Sequence, residues 1–359
     1  MVNKTVGSIK EPIGITLVND NIGYIGDGIP AYTQDLYNNL LEYGINAEKV
    51  SISDYVGLGN PHIPGMRTFK KRLFLLSGAK PLKNKNIHAM SPTILSYSVL
   101  RKAKAKIVTV HDLYDFNPDF QRQRLSSFHG IQKFVLSQIL RMNRNLWKYL
   151  PLYDRVFAIS EETKKGLIDR FNIDSSKISV AYPFIPDKFK PLDIDRNKTV
   201  IGYINNFNFN KRGKMKVFIE AFKEVEGNDL EFHIYGRNFP FADLIKDDER
   251  IKYLGFLPED KVVKTINSFS AYLSTSIVEG FGIPIMQAKS CKIPVLCYDG
   301  DIPDITKRNT LLWDDGSIRS ILESREWEKA DVGKGFKDAE LCRPSKTVPA
   351  MIKTYREVL

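Results

Sequence analysis

The stretch from Tyr272 to Tyr298, YLSTSIVEGFGIPIMQAKSCKIPVLCY, constrains the fold of this chain more than any other. Ala271–Leu273 and Ile293–Leu296 are short apolar runs without strict alternation, the pattern of parallel strands buried on both faces. Between them lies a turn dense in glycine and proline, Glu279-Gly280-Phe281-Gly282-Ile283-Pro284, and then a helical stretch from about Pro284 to Ser290. Pro284 suits the first turn of that helix, where its missing N–H costs nothing. The unit is strand, loop, helix, strand, with unsatisfied backbone N–H groups aimed at the carboxyl end of a sheet. That is where α/β proteins bind nucleotides and phosphates. Glu279 is held in the loop, and Gln287, eight positions on, faces the same way from the helix.

EGFGIPIMQAKSCKIPVL resembles the signature of the family-4 retaining glycosyltransferases of GT-B fold, in which two glutamates are separated by seven residues. The resemblance implies that Glu279 meets the donor sugar, and that the second glutamate position holds the ribose hydroxyls of the nucleotide. Gln287 stands at that second position. An amide still bonds two hydroxyls, but without charge assistance the bonds are weaker. The alternative reading of the motif is a glycine turn that packs a helix on a sheet.

A chain of 359 residues with 43% hydrophobic content is expected to split into two domains with ordinary cores. No apolar run approaches the ~20 residues of a membrane span, and MVNKTVGSIKEP carries no signal-peptide core. Cys291, Cys297 and Cys342 show neither metal spacing nor an even disulfide set, so a cytoplasmic setting is expected. The net charge of +11 is uneven. Eleven basic residues and no acidic one lie between Asp54 and Asp112, and six basic residues and no acidic one between Asp119 and Asp154. Such a surface attracts phosphate-bearing partners: lipid headgroups, nucleic acid or an anionic acceptor.

Along the first half, Ile13–Val18 reads as a strand, followed by NDNIGYIGDGIP and a helix from Pro30 to about Tyr43. Gly23, Gly26 and Gly28 lack the dinucleotide-fingerprint spacing. GDGIPAYTQDLYNNLLEYG does resemble the first loop and helix of the glycosyltransferase family, which implies that the Gly28 backbone approaches the donor diphosphate. A turn glycine at positive φ is the alternative. Residues 57–85, rich in Gly, Pro, Lys and Arg, read as an excursion between strands. Ile87–Met90 and Ile107–Val110 are further strands, and the second delivers His111 at its carboxyl end. A lone histidine there often packs or caps. TVHDL, however, resembles the family's acceptor-domain segment, which implies that His111 sits beside the reacting sugar.

Ile131 to Leu150 reads as one amphipathic helix, with Ile131, Val135, Ile139, Met142, Leu146 and Leu150 on a stripe and Lys133, Arg141, Arg144 and Lys148 opposite. Two readings stay open: a helix lying in a membrane interface, and a sheet-covering helix with a solvated basic face. Val156–Ser160 is a strand ending in Ser160, an N-cap for the next helix. After Ile178–Tyr182, PFIPDKFKPLD reads as the interdomain linker.

The second half restarts at Val200–Ile204 and continues into a helix with Met215, Phe218, Ile219 and Phe222 on one face. Lys211 and Arg212, at its entrance, are placed to offer cationic donors to a diphosphate. In the family an Arg and a Lys of this segment neutralise the leaving phosphates; a solvated pair is the alternative. The strand Phe232–Tyr235 ends in Gly236, and GFLPEDKVVKTINSFSAYLSTS, with Phe256, resembles the segment that cradles the nucleobase. By this resemblance Gly28, Lys211, Arg212, Gly236, Phe256, Gly280, Phe281, Gly282 and Gln287 form the donor site, and Glu279, His111 and Arg212 carry the chemistry.

The expected architecture is α/β, GT-B: a first Rossmann-like domain over residues 1–190, a second over 191–340, and a last helix, from about Thr347 to Val358, in a segment 341–359 that crosses back. The resemblance implies transfer of a sugar from a nucleotide-diphosphate sugar such as a UDP- or GDP-sugar to a lipid, glycan or protein acceptor. It also implies a retaining outcome. No His, Asp or Glu spacing marks a metal site, and no further cofactor is expected. A peripheral position on an anionic membrane surface fits the basic half. Two alternatives remain: a GT-B-like binding protein without catalysis, and a nucleic-acid binder, which lacks a recognised motif or interleaved aromatics.

Overall fold

The computed structural model describes residues 14–19, 28–51, 86–92, 94, 103–118, 121, 122, 125, 129–207, 213–225 and 229–359. The segment 57–85, the start of the first strand at Ile13, Gly23, Gly26, Lys211 and Arg212 lie outside them. Two six-stranded parallel sheets organise the chain. The first contains β1 (Gly14–Asn19), β2 (Asn46–Ser51), β3 (Asn86–Ala89), β4 (Ala105–Val110), β5 (Arg155–Ala158) and β6 (Ile178–Val180), in the order β2-β1-β3-β4-β5-β6. The second contains β7 (Val200–Ile204), β8 (Glu231–Tyr235), β9 (Ile251–Gly255), β10 (Ala271–Ser274), β11 (Val295–Tyr298) and β12 (Leu311–Trp313), in the order β12-β11-β10-β7-β8-β9. The strand order reverses between β1 and β3 and between β7 and β10. Those reversals open crevices at the strands' carboxyl ends.

The first sheet is flanked by α1 (Gly28–Glu42), α2 (Gly130–Leu146) and α3 (Glu161–Phe171). The second is flanked by α4 (Met215–Glu224), α5 (Ala242–Ile245), α6 (Glu259–Ser268), α7 (Ile283–Ser290), α8 (Asp304–Lys307), α9 (Ile318–Ser324) and α10 (Val332–Glu340). The last helix, α11 (Pro344–Val358), buries Val348, Met351, Ile352 and Tyr355 in the core of the first sheet. It begins three residues before the expected Thr347, because Pro344 fits a first-turn position that needs no N–H donor. Arg343, buried at its threshold, donates to the carbonyls of Ile185, Pro186 and Phe189 and pairs with Glu340. The proline-rich stretch between the sheets is thereby tied to the start of the returning helix.

Two local readings need correction. The strand expected at Ile293–Leu296 runs from Val295 to Tyr298. Lys292 is left-handed at φ 53°, and the Ile293 N–H closes the end of α7 on the Ala288 carbonyl. Pro294, without an N–H, then delays the ladder until Val295. The helix expected over Ile131–Leu150 stops at Leu146 and tightens into a 3-10 segment, Trp147–Leu152, that contains Pro151. Its core-facing residues are Leu140, Trp147 and Leu150, whereas Ile131 and Val135 are exposed. Trp147 turns inward because its ring stacks on Phe171, meets Phe116 edge-on, and donates Nε1–H to Asp115. Ser160 caps α3 as expected, accepting from the Thr163 N–H.

Candidate active site

The loop that leaves β10 carries the site. Ser274, Thr275 and Ser276 are buried, and Ser276 donates its hydroxyl to Glu279 Oε1 at 2.7 Å. The Glu279 N–H donates to the Asp301 carbonyl at 3.1 Å, so the loop is braced from the turn after β11. Gly282, at φ +90°, caps α7, with Pro284 in the first turn. Only glycine adopts that conformation without strain. Among the described residues nothing accepts a hydrogen bond from the N–H groups of Phe281 and Gly282. The α7 dipole and these donors favour an anion at this helix start.

Gly280 is the point at which the two sheets meet. A Cβ built there lies 2.6 Å from the His111 carbonyl oxygen and 3.2 Å from Asp112 Cβ. The signature loop is therefore pressed directly onto the carboxyl end of β4. A second bridge forms beside it, where Glu162 of α3 accepts from the Asp304 N–H of α8 at 2.9 Å. Between them opens a cleft of about 680 Å³ whose lining includes Asp112, Tyr114, Ser160, Glu162, Glu279 and Asp301.

His111 directly precedes Asp112 of the cleft lining but is not itself part of that lining. Burial pulls its imidazole down to about 4, only partly offset by a backbone hydrogen bond to Met90, so the ring is neutral near pH 7. Nε2 is buried with no partner among the described residues. Tyr32 of α1 holds the ring edge-on at 5.1 Å and is itself stacked on Phe184 of the linker, at an interplanar angle of 3°. Tyr114, which sequence reading missed, is raised by burial and then by the nearby carboxylates of Glu279, Asp112 and Asp301, while a backbone bond at Gly280 works the other way. Its phenol stays protonated. The only signal for it in the sequence is its position three residues after His111.

The remaining expected residues fall into distinct settings. Gln287 is half-buried on α7, outside the lining of the cleft between the sheets. Phe281 is 3% exposed and packs on Tyr182, with its carbonyl accepting from Thr306, so its ring serves the core. Gly236, at φ +147°, is a packing glycine: a Cβ would lie 1.9 Å from the Asn205 carbonyl oxygen. Its N–H is spent on Gly255 and its carbonyl on Tyr253. Phe256 is exposed, and the Arg237 guanidinium lies 4.2 Å above its ring. Gly28 opens α1, and no atom of the described residues lies within 4 Å of its Cβ position. Although Lys211 and Arg212 lie outside the described residues, Gly213 packs against the carbonyl of Thr275, bringing the entrance of α4 to the loop after β10. Among the described residues, no three His, Cys, Asp or Glu side chains converge as metal ligands.

Two parallel-sheet domains facing one cleft, with a glycine loop and a helix start at the strands' carboxyl ends, define the class: a protein of GT-B fold. The family model described as Glycosyl transferases group 1 matches residues 184–321, and that described as Glycosyltransferase Family 4 matches residues 55–189. The chain belongs to the group 1, family 4 glycosyltransferases.

Its relatives include the phosphatidylinositol N-acetylglucosaminyltransferase GPI3 subunit of Saccharomyces cerevisiae, 27% identical over 193 residues, covering 49% of this chain and 43% of that one. The lipopolysaccharide 1,6-galactosyltransferase of Escherichia coli K12 is 25% identical over 162 residues, with 42% and 45% covered. The chain thus spans less than half the length of these relatives. Among solved structures it resembles sucrose-phosphate synthase from Thermosynechococcus elongatus (TM-score 0.70, 14% identity, 96% and 98% covered). It also resembles Anabaena Alr3699/HepE in complex with UDP and glucose (TM-score 0.61, 14% identity, 96% and 100% covered). At such identities these likenesses speak to the fold.

Proposed function

We propose that this chain moves a hexose from a nucleotide-diphosphate sugar, a UDP- or GDP-sugar, onto a lipid or lipid-linked acceptor, with retention and without a required metal ion. The observation that carries the reading is the Glu279–Gly282 loop, set at the start of α7 and pressed against the end of β4. In this reading Glu279 accepts hydroxyls of the donor sugar, and the backbone N–H groups of Phe281 and Gly282 meet the diphosphate, aided by Lys211 and Arg212. Stabilising the departing diphosphate is then the largest catalytic contribution, because preorganised donors cost no rearrangement at the moment of reaction. Neutral His111 offers Nε2 to a hydroxyl of the transferred sugar. Gln287 holds the ribose, with Gly28 approaching the phosphates from α1.

The chain divides in this reading into an acceptor domain over 1–190, a donor domain over 191–340, and the returning segment 341–359. The UDP bound to a structural neighbour supports a nucleotide donor. The lipid-bearing acceptors in the relatives' names, phosphatidylinositol and lipopolysaccharide, support a lipid-linked one. A thermal-shift screen against UDP, GDP, ADP and their sugars tests the donor half, since a ligand of the native state raises the melting point by mass action. Stabilisation by one nucleotide, together with its release from the matching sugar in a Glu279-dependent way, is expected. If no nucleotide or nucleotide sugar stabilised the protein, the donor site would have to be abandoned.

A further inference from the structure

The outward face of α2 is apolar. Ile131 is 83% exposed, Phe134 64% and Val135 38%, although residues of this kind are normally buried. At 100° per residue they share a sector of about 100° at the amino-terminal half of the helix. Lys133, Arg141 and Arg144 are exposed and fall in the adjacent sector, of about 80° on the same projection, and Lys148 follows, exposed, in the 3-10 segment. α2 contains no acidic residue. The side turned to the core, with Leu140 and Trp147, is narrow and lies towards the carboxyl end. The helix therefore needs only its last turns to hold it to the domain. Its first turns carry the apolar surface and Lys133, and Arg141 and Arg144 continue the basic sector along its second half.

We propose that α2 docks the protein on an anionic lipid bilayer. The helix lies in the headgroup layer, with Ile131, Phe134 and Val135 inserted and Lys133, Arg141, Arg144 and Lys148 on lipid phosphates. The charge complementarity selects the occupant: an apolar tip on a helix whose charged residues are all cations matches a negatively charged interface. The inference rests on the lipid-acceptor reading above and gives it a geometry. Trp147 at the end of α2 donates to Asp115 and packs edge-on against Phe116, and Phe116 lines the cleft. A docked α2 fixes the mouth of the cleft at the membrane surface, where an acceptor headgroup enters without leaving its bilayer.

Vesicle flotation of the full chain tests this, with phosphatidylcholine alone or mixed with phosphatidylglycerol, at low and at high salt. The protein is expected to float with the mixed vesicles at low salt and to be released by high salt. Each cation near an anionic surface contributes about 1 kcal/mol, about fivefold in binding. Arg141→Glu, Arg144→Glu and Lys148→Glu together should therefore weaken binding by about a hundredfold or more. Ile131→Ser with Phe134→Ser should weaken it about tenfold while leaving the salt dependence in place. Both variants change only exposed residues, so their melting temperatures and their release of nucleotide from donor in solution should match the parent. No flotation with mixed vesicles, or flotation unchanged in both variants, overturns the proposal, and binding to an acidic soluble partner would then account for the face. Loss of donor cleavage in the parent would instead count against the glycosyltransferase reading and leave the docking result standing.

Discussion

Replacing Gly280 by alanine tests the contact on which the cleft depends. The added Cβ would sit 2.6 Å from the His111 carbonyl oxygen, about 0.8 Å short of ordinary contact, and 3.2 Å from Asp112 Cβ. The nearer atom is backbone and the other is a Cβ bonded directly to backbone, so no flexible side-chain end can move aside. Gly280 is not in the left-handed region, so the methyl group itself adds no backbone strain. The cheapest relief is to part the two sheets at the cleft by about the missing 0.8 Å. Overpacking within a core costs ~1–3 kcal/mol, but here the contact lies between domains, and parting them should hold the loss near the lower bound. Catalysis has no such escape, since a misplacement of about 1 Å between reacting groups costs about a hundredfold. Gly280→Ala should therefore lose about two orders of magnitude in kcat, with a melting temperature only a few degrees below the parent. Steady-state transfer measured beside calorimetry decides this. Turnover within about threefold of the parent would refute the claim that this loop must close on the end of β4.

Four further outcomes follow from the same structure. Glu279→Ala should abolish transfer with the fold intact, as measured by sugar transfer and circular dichroism, and near-normal turnover would remove Glu279 from the site. If Gln287 holds the ribose, Gln287→Ala should weaken nucleotide binding by ~1 kcal/mol or more, while Gln287→Glu preserves or tightens it; calorimetric titration giving equal affinities would exclude that role. Arg343→Ala removes a buried cation that serves three linker carbonyls, and chemical denaturation should show a loss of ~3 kcal/mol or more. His88, buried between Tyr355 and Thr109, is pushed by burial down to about 3, and His111 to about 4. The unfolded chain binds more protons than the native one wherever the pH lies below about 6.5 and above these values. Stability should therefore fall on acidification from pH 6.5 towards 4, by up to ~1.4 kcal/mol per pH unit for each histidine, and a flat urea midpoint across that range would contradict the burial of both rings.

Much of the fold was legible because local patterns report local burial. Val200–Ile204 reads as a strand to the residue, and Met215, Phe218, Ile219 and Phe222 form the buried face of α4 as their spacing implies. Ser160 announces the cap of α3, and Gly282 with Pro284 announces the start of α7. Each of these depends on a helix or strand period, or on backbone chemistry confined to a few residues. Glu279 could be singled out for the same reason, since it sits in a glycine turn between two strand patterns.

Tertiary structure decided which of these residues meet. Gly280 touches His111 across 169 positions of sequence, and no local period encodes that approach. Tyr114, Glu162 and Asp301 enter the cleft because two sheets dock at their carboxyl ends, not because of any motif they belong to. Gly236 and Phe281 are expected in the donor site by resemblance alone, and only the folded chain shows that Gly236 packs on the Asn205 carbonyl and Phe281 on the Tyr182 ring. The periodicity of α2 was clear, but which of its faces turns inward was not. That choice is made by Trp147, whose ring finds Phe116, Phe171 and Asp115 only once the chain has folded, and it leaves Ile131 and Phe134 facing outward.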